Sequence, residues 1–352
     1  MPADMTTAER IPTLDGWRGI AILMVLFSHI LYAINGSAPA WASTGHHGVA
    51  IFFVLSGFLI TSNLLKGPID LKRFYTRRFF RLMPVAWTYL ITVIILGFLV
   101  HQKTTSNAAI LASVFFYRNF VWANLGSSTW HFWSLSLEEQ FYLIWPCLLV
   151  LAGVRRCRWI AATGAISCAV YRWMFWAHYN QSPMNCESQV RSDALLIGCL
   201  MAMLLDIPTV RAKALQWSKA WVLPALVVLV YCIGHFSLLP PLIECIAIAL
   251  LLTSSILHSD SLIALPLRSW PLTRLGIISY SVYVWQELFM VLSNGQSPNR
   301  YLPLLGLYLP LCALGSYVYI ERPCTRLGHR LTMPKYPTCA QHFLVIGGAE
   351  HV

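Results

Sequence analysis

The sequence predicts an all-α polytopic membrane protein, on the basis of its hydrophobic share, its scarcity of charge and its series of apolar segments. Of 352 residues, 57% are hydrophobic and only 11% are charged, and the mean hydropathy is +0.61. A soluble domain carries about 25% charged residues, and a helix needs about 20 apolar residues to cross a bilayer. We therefore expect a bundle of about ten transmembrane helices, over 19–34, 48–65, 84–100, 136–153, 159–177, 190–206, 220–236, 241–257, 276–293 and 301–320.

The basic residues between these segments predict the orientation, since short cytoplasmic loops carry an excess of Lys and Arg. An eleventh candidate, 108–121, is shorter and contains Arg118 and Asn119. If 108–121 does not cross and the N-terminus is cytoplasmic, twenty basic residues lie inside and four outside. We therefore expect both termini in the cytoplasm, 108–121 in or near the outer interface, and a bacterial inner membrane as the location. This bias accounts for the net charge of +11 without a nucleic-acid partner.

The N-terminus and the cysteines each raise a second interpretation. Residues 19–34 resemble a signal-peptide core and 38–40 (APA) resemble a cleavage site, but the polar His29 and three early acidic residues disfavour cleavage. The ten cysteines lie mostly in apolar segments and show no paired spacing. This distribution is typical of small packing residues and predicts neither a disulfide frame nor a metal site.

The first span carries two ionisable residues at a telling distance. In LDGWRGIAILMVLFSH (14–29), ten residues separate Arg18 from His29. Eleven helical positions turn through about three full turns and rise about 16 Å, so the two side chains share one face. Arg18 then lies at the cytoplasmic edge and His29 about halfway across. A packed histidine with one hydrogen-bond partner and a functional histidine are equally compatible with this stretch, because ionisable groups in spans face the protein interior or water.

Two further stretches concentrate polar chemistry. RRFFRLMP places Arg77, Arg78 and Arg81 on one helix face just inside the membrane, where they are either phosphate ligands or ordinary positive-inside anchors. TWHFWSLSLEEQFYLIWP (129–146) holds His131, Glu138 and Glu139. An aromatic belt with solvated acids explains its tryptophans, but it explains less well two glutamates within the first turn of an apolar helix.

Together these stretches resemble the integral-membrane acyltransferases of acyltransferase family 3, the group that includes O-antigen O-acetylases. The resemblance covers roughly residues 11–327. Arg18 and His29 stand at the family's arginine-x10-histidine positions, and Arg78 and Arg81 form its R-x-x-R pair. The other matching stretches follow in order along the chain: GVAIFFVLSGFLIT (48–61), HFWSLSLEEQFYLIWP (131–146), RSDALLIGCLMA (191–202), ISYSVYVW (278–285) and ERP (321–323).

The resemblance implies an acyl-CoA donor, usually acetyl-CoA, that acts as a substrate and not as a bound cofactor. It also implies a hydroxyl acceptor such as a polysaccharide, a lipid-linked sugar or a glycosylated metabolite. We expect Arg18 and the group Arg77, Arg78 and Arg81 to bind the donor phosphates from the inner face. The pantetheine arm would then bring the thioester about 16 Å into the bundle.

We expect His29 to take the proton of the acceptor hydroxyl as general base and Glu138 to orient its imidazole. His131 and Glu139 are weaker candidates for a supporting role. Arg191 and Asp193 either shape the acceptor entrance or, as we favour, form a local ion pair.

The sequence departs from the family in two places. Many members have histidine where this chain has Gln286, and an amide orients a substrate but does not take a proton at neutral pH. Some relatives carry an extra extracytoplasmic C-terminal domain. This chain ends soon after ERPCTRLGHRL, so we expect an acyltransferase domain over 11–332 without that addition. The tail 333–352 has no clear pattern, and we expect it to be disordered.

Two other functions compete with acyl transfer. Buried ionisable groups and ten spans would suit a proton-coupled transporter, but the two halves show no matching pair of Gly/Pro-broken spans. A non-catalytic membrane scaffold would tolerate replacement of His29 and Glu138 at no functional cost.

Overall fold

The computed structural model describes residues 11–35, 45–99, 105–121, 128–174, 188–234, 241–291 and 302–333. Within these ranges the chain is almost wholly helical and contains no strand. The C-terminal tail that we expect to be disordered lies outside the described residues from residue 334 onward. The helices, numbered in chain order, are α1 (Pro12–Asn35), α2 (Gly45–Leu64), α3 (Leu71–Leu99), α4 (Asn107–Val114), α5 (Phe132–Met174), α6 (Ser188–Leu205), α7 (Pro208–Gly234), α8 (Pro241–Leu257), α9 (Ala264–Leu267), α10 (Trp270–Val291), α11 (Leu302–Ser316) and α12 (Arg322–Leu331).

Apart from Leu65, Gly153 and Asp206, the described part of each of the ten predicted spans is helical. Five helical stretches in the described ranges are long and apolar enough to cross a membrane, and α8 is a shorter apolar helix. The outer surface matches a lipid environment. On α3, Ile91, Ile94, Ile95 and Phe98 are exposed, and their spacing makes one apolar stripe along the helix. The chain is therefore a helical membrane protein whose ionisable side chains must be read against lipid.

The segment 108–121 forms the short helix α4 and a 3₁₀ turn, Arg118–Phe120. Eight helical residues rise only about 12 Å, which is too short to cross a bilayer. The Arg118 guanidinium is fully buried over the Trp130 ring, with 4.9 Å between its central carbon and the ring centroid. Its backbone N–H donates to Ser136 Oγ at 3.1 Å. The segment is thereby fixed against the beginning of α5.

The long α5 contains a sharp break at Gly153, where φ is +75° and ψ is 160°. This left-handed conformation is open to glycine and strained for other residues. The break divides α5 into two helical parts that correspond to the predicted spans 136–153 and 159–177. The sequence predicts a loop between these two spans, whereas the structure has a single non-helical residue, Gly153, between the two helical parts.

Glycines set two of the closest helix contacts. A Cβ built on Gly276 of α10 would lie 1.8 Å from the Asp15 carbonyl oxygen of α1, and one on Gly57 of α2 would lie 2.0 Å from the Leu195 oxygen of α6. Small residues allow membrane helices to approach this closely and to gain dispersion energy without a hydrophobic driving force. The first contact holds α1 and α10 together at the end that carries Arg18, and both helices run from there in the same direction.

Candidate active site

The described residues line a partly open cavity between α1, α2, α3, α5 and α10. Its charged lining comprises Arg18, Arg78, Arg81 and Glu138. We call it the arginine cavity. The predicted arginine pair and the predicted first-span arginine thus meet at one site, although they lie on different helices and sixty residues apart. The rest of its lining is Val49, Phe52, Phe53, Ser56, Leu82, Ser134, Leu135, Ser279, Tyr280 and Tyr283.

Arg78 is the most firmly held of the three arginines. Its guanidinium carbon lies 3.4 Å from the centroid of the Tyr142 ring, and its Nε lies 3.7 Å from Glu139 Oε1. Stacking and a carboxylate partner fix the guanidinium plane, which is the arrangement that suits bidentate binding of phosphate. Arg18 is restrained more loosely, since its Nη1 lies 3.4 Å from Asp15 Oδ1. The cavity therefore presents an anion with one rigid and one adaptable guanidinium.

Arg77, predicted to join this group, lies outside the cavity lining. Its Nε donates to Thr332 Oγ1 at 2.8 Å, which ties α3 to the end of α12. Beyond the membrane-spanning helices, burial, followed by the charges of Arg77 and Arg73, lowers the pKa of His329 on α12. His329 is then neutral at pH 7 and adds no positive charge beside Arg77.

The predicted pairing of Glu138 with His29 differs from the structure. Ser56 Oγ donates to Glu138 Oε1 at 2.8 Å, inside the arginine cavity. Beside the His29 ring lies another carboxylate, that of Glu287, with 3.6 Å between Nδ1 and Oε2. Adjacent glutamates on a helix point about 100° apart. In this pair Glu139 reaches Arg78 and Glu138 reaches Ser56, so both serve the arginine cavity.

The His29–Glu287 pair lies one layer beyond the cavity, toward the opposite end of the bundle from Arg18. His29 retains 35% of its side-chain surface and Glu287 retains 14%, so the imidazole is accessible and does not simply fill the core. Glu287 was missed by the sequence reasoning, which stopped at Gln286. An acidic residue next to a polar amide inside the apolar span 276–293 was the available signal.

A wall separates the two sites. Tyr283 lines the cavity, its hydroxyl lies 2.5 Å from Ser134 Oγ, and it also donates to the His131 carbonyl oxygen at 3.2 Å. The His131 ring packs behind it, 5.6 Å from the Tyr283 ring centroid. His131, predicted as a supporting residue, is almost completely buried and belongs to this aromatic wall. Since Tyr283 precedes Glu287 by four residues on α10, the wall stands about 6 Å short of the pair.

Asp193, predicted to pair with Arg191, forms an ion pair across helices. Asp193 on α6 binds Arg172 on α5, with 2.5 Å between Oδ2 and Nη2. Arg191 is itself buried. Nearby chemistry that the sequence reasoning missed includes His47 and Glu244, whose Nδ1 and Oε1 lie 2.7 Å apart in the core. These groups satisfy charges inside the bundle, and neither Arg191 nor Asp193 lines the arginine cavity.

Gln286 is completely buried, and neither its Nε2 nor its Oε1 has a hydrogen-bond partner. It follows Tyr283 by three residues on α10 and adjoins Glu287. A buried amide without partners is uncommon in a folded protein.

Among the described residues, no group of three or more His, Cys, Asp or Glu side chains could hold a metal ion.

Comparison with known proteins identifies the family. A family model described as an acyltransferase domain matches residues 11–321. The chain is 29% identical over 360 residues to YrhL of Bacillus subtilis, which covers 91% of this chain and 56% of that protein. It is 27% identical to the peptidoglycan O-acetyltransferase OatA of Listeria monocytogenes, over 90% of this chain and 56% of that one.

A third relative is the O-acetyltransferase OatA of Staphylococcus aureus, 28% identical over 93% of this chain and 59% of that protein. The chain thus spans just over half the length of these relatives. No solved structure matches it significantly. The matched region, residues 11–321, contains the arginine cavity, the wall and the His29–Glu287 pair.

Proposed function

The chain belongs to the acyltransferase-domain family, and we propose that it moves an acetyl group from acetyl-CoA to a hydroxyl of a cell-envelope glycan. One observation carries this proposal: three arginines converge on a cavity and a histidine–glutamate pair lies one layer beyond its far wall. An acyl-CoA has the matching chemistry, with several phosphate charges at one end and a reactive thioester at the end of a thin arm.

We propose that the donor enters from the cytoplasm. The proposed orientation has ten spans and cytoplasmic termini, as the distribution of basic residues predicts. The proposed location is a bacterial inner membrane. An alkaline-phosphatase fusion after residue 102 tests the orientation, because that enzyme is active only outside the cytoplasm. An active fusion supports the orientation, and an inactive fusion that accumulates normally would contradict it.

At the donor end, Arg18, Arg78 and Arg81 bind the phosphates, with Arg78 held by Tyr142. The pantetheine arm then extends along the cavity toward Tyr283. Helical rise places the His29 pair about 16 Å from the Arg18 end, a distance that such an arm can cover. The thioester reaches the pair when the wall formed by Tyr283 and Ser134 opens.

At the reacting end, His29 accepts the proton of the acceptor hydroxyl as that oxygen attacks the thioester carbon. Histidine is the side chain best suited to this exchange near neutral pH. Glu287, 3.6 Å from Nδ1, stabilises the imidazolium that forms, a role that carboxylates play beside catalytic histidines. The imidazolium then returns the proton to the departing CoA thiolate, so the products are an O-acyl ester and free CoA.

The relatives suggest the acceptor class. The Listeria monocytogenes protein is named a peptidoglycan O-acetyltransferase, and we propose a peptidoglycan sugar or a related envelope polysaccharide as the first acceptor to test. A lipid-linked sugar or a glycosylated metabolite contains the same hydroxyl chemistry. Mass spectrometry of envelope glycans with and without the gene would identify the acceptor by a shift of one acetyl group.

The histidine test addresses the chemistry directly. Membranes that contain the full chain receive acetyl-CoA labelled in its acetyl group, and base-labile acetate on the envelope glycan is counted. His29→Ala should reduce transfer by about a hundredfold or more while the protein accumulates normally. His258→Ala is the matched control, because His258 lies away from the site and bonds the Leu215 carbonyl oxygen. Full activity of His29→Ala would remove the proposed base.

A further inference from the structure

We infer that Gln286 is a catalytic residue that holds the thioester carbonyl oxygen during acyl transfer. The inference rests on the proposed function and adds an electrophilic partner to the base His29. It begins from an energetic anomaly: the Gln286 side chain is 0% exposed, yet its Nε2 and Oε1 both lack partners. A folded chain has no structural reason to retain two unsatisfied polar atoms there, because an apolar side chain would fit at lower free energy.

The position of Gln286 indicates what it awaits. On α10, Ser279 and Tyr283 line the arginine cavity, and Gln286 continues the same helix face at the i, i+4, i+7 spacing. The next residue, Glu287, contacts His29. Gln286 therefore lies one turn beyond Tyr283 on the cavity-lining face of α10, next to the residue that contacts the proposed base.

The chemistry requires a donor at that point. When the acceptor oxygen forms its bond to the thioester carbon, the carbonyl electron pair moves onto the carbonyl oxygen, and that negative charge needs a fixed N–H donor. Gln286 Nε2 supplies the hydrogen bond. The electron pair then returns from the oxygen to re-form the carbonyl, and the C–S bond breaks. The CoA thiolate takes the proton that His29 removed from the acceptor. Gln286 itself exchanges no proton.

The test is Gln286→Leu in the full chain, with kcat, KM for acetyl-CoA and melting temperature measured together. Loss of one such donor lowers kcat by about a hundred- to a thousandfold, and KM changes little because the donor acts in the transition state. The melting temperature rises, since the substitution removes two buried unsatisfied atoms. Gln286→His, which keeps an N–H donor, should recover part of the lost kcat.

Gln140→Leu is the matched control. The Gln140 amide donates to the Phe116 carbonyl oxygen and to Asn119 Oδ1, both at 2.9 Å, so the same substitution there should lower the melting temperature. Three results would overturn the inference: Gln286→Leu retaining kcat, Gln286→Leu melting lower than wild type, or Gln286→Leu failing to accumulate. If the wild type transfers no acyl group, the proposed function fails. The melting temperatures can be compared in either case, so the two failures are distinguishable.

Discussion

Removing the charge of Glu287 gives the sharpest test of the proposed role of the His29–Glu287 pair. The substitution Glu287→Gln keeps the size of the side chain and deletes its negative charge. At the observed 3.6 Å from His29 Nδ1, a unit charge pair is worth about 1 kcal/mol in water and about 5 kcal/mol at an effective dielectric constant of about 20. Because the His29 side chain is 35% exposed, solvent screening favours the lower part of this range, about 1–3 kcal/mol.

In the proposed mechanism that free energy stabilises the His29 imidazolium, which forms only as the reaction proceeds. The loss should therefore appear in kcat, by about five- to a hundredfold, with KM for acetyl-CoA nearly constant. The assay is transfer of labelled acetyl from acetyl-CoA to envelope glycan over a range of donor concentrations. Glu138→Gln provides the contrast, because Glu138 bonds Ser56 within the arginine cavity and should affect KM more than kcat. A larger loss of kcat in Glu138→Gln than in Glu287→Gln would refute this assignment.

Three other predictions concern donor binding and packing. Arg78→Lys should raise KM for acetyl-CoA by about tenfold, since lysine loses the planar stack on the aromatic ring and the bidentate geometry; steady-state kinetics measures it, and an unchanged KM would disprove phosphate contact. Gly57→Leu should prevent accumulation in the membrane because its Cβ would lie 2.0 Å from a backbone oxygen, whereas Gly306→Leu, with open space around it, should accumulate normally on immunoblots. Asp193→Ala leaves Arg172 buried without its carboxylate and should lower the free energy of unfolding by about 3–5 kcal/mol. Thermal unfolding should then occur at a lower temperature, and replacing both residues by leucine should largely restore it. Equal melting temperatures of the single and double variants would contradict this.

Patterns within one helix were predicted well from sequence. The spacing of Arg18 and His29 on α1, and of Arg78 and Arg81 on α3, depends only on helical geometry. The cavity gathers Arg18 with Arg78 and Arg81, and their joint action on the donor stays a prediction. The family resemblance is confirmed by the match over residues 11–321.

Contacts between helices were the part that sequence could not supply. The partner of His29 depends on which helix packs beside α1, and the glycine contact with α10 makes that partner Glu287. The same limit applies to Asp193, whose partner Arg172 is twenty-one positions away on another helix. Periodicity gives the face that a residue occupies, but the neighbour of that face follows from packing.

Because α1 carries both the proposed phosphate ligand Arg18 and the proposed base His29, we expect the protein to select its acyl donor by length. The separation between Arg18 and His29 is set by the rise of one helix and does not change when neighbouring helices slide. A thioester whose arm is shorter than that separation can contact Arg18 or His29 but not both at once. We therefore expect this distance alone to favour full-length acetyl-CoA over small acetyl thioesters such as S-acetylcysteamine. No side chain that blocks the small thioesters is needed.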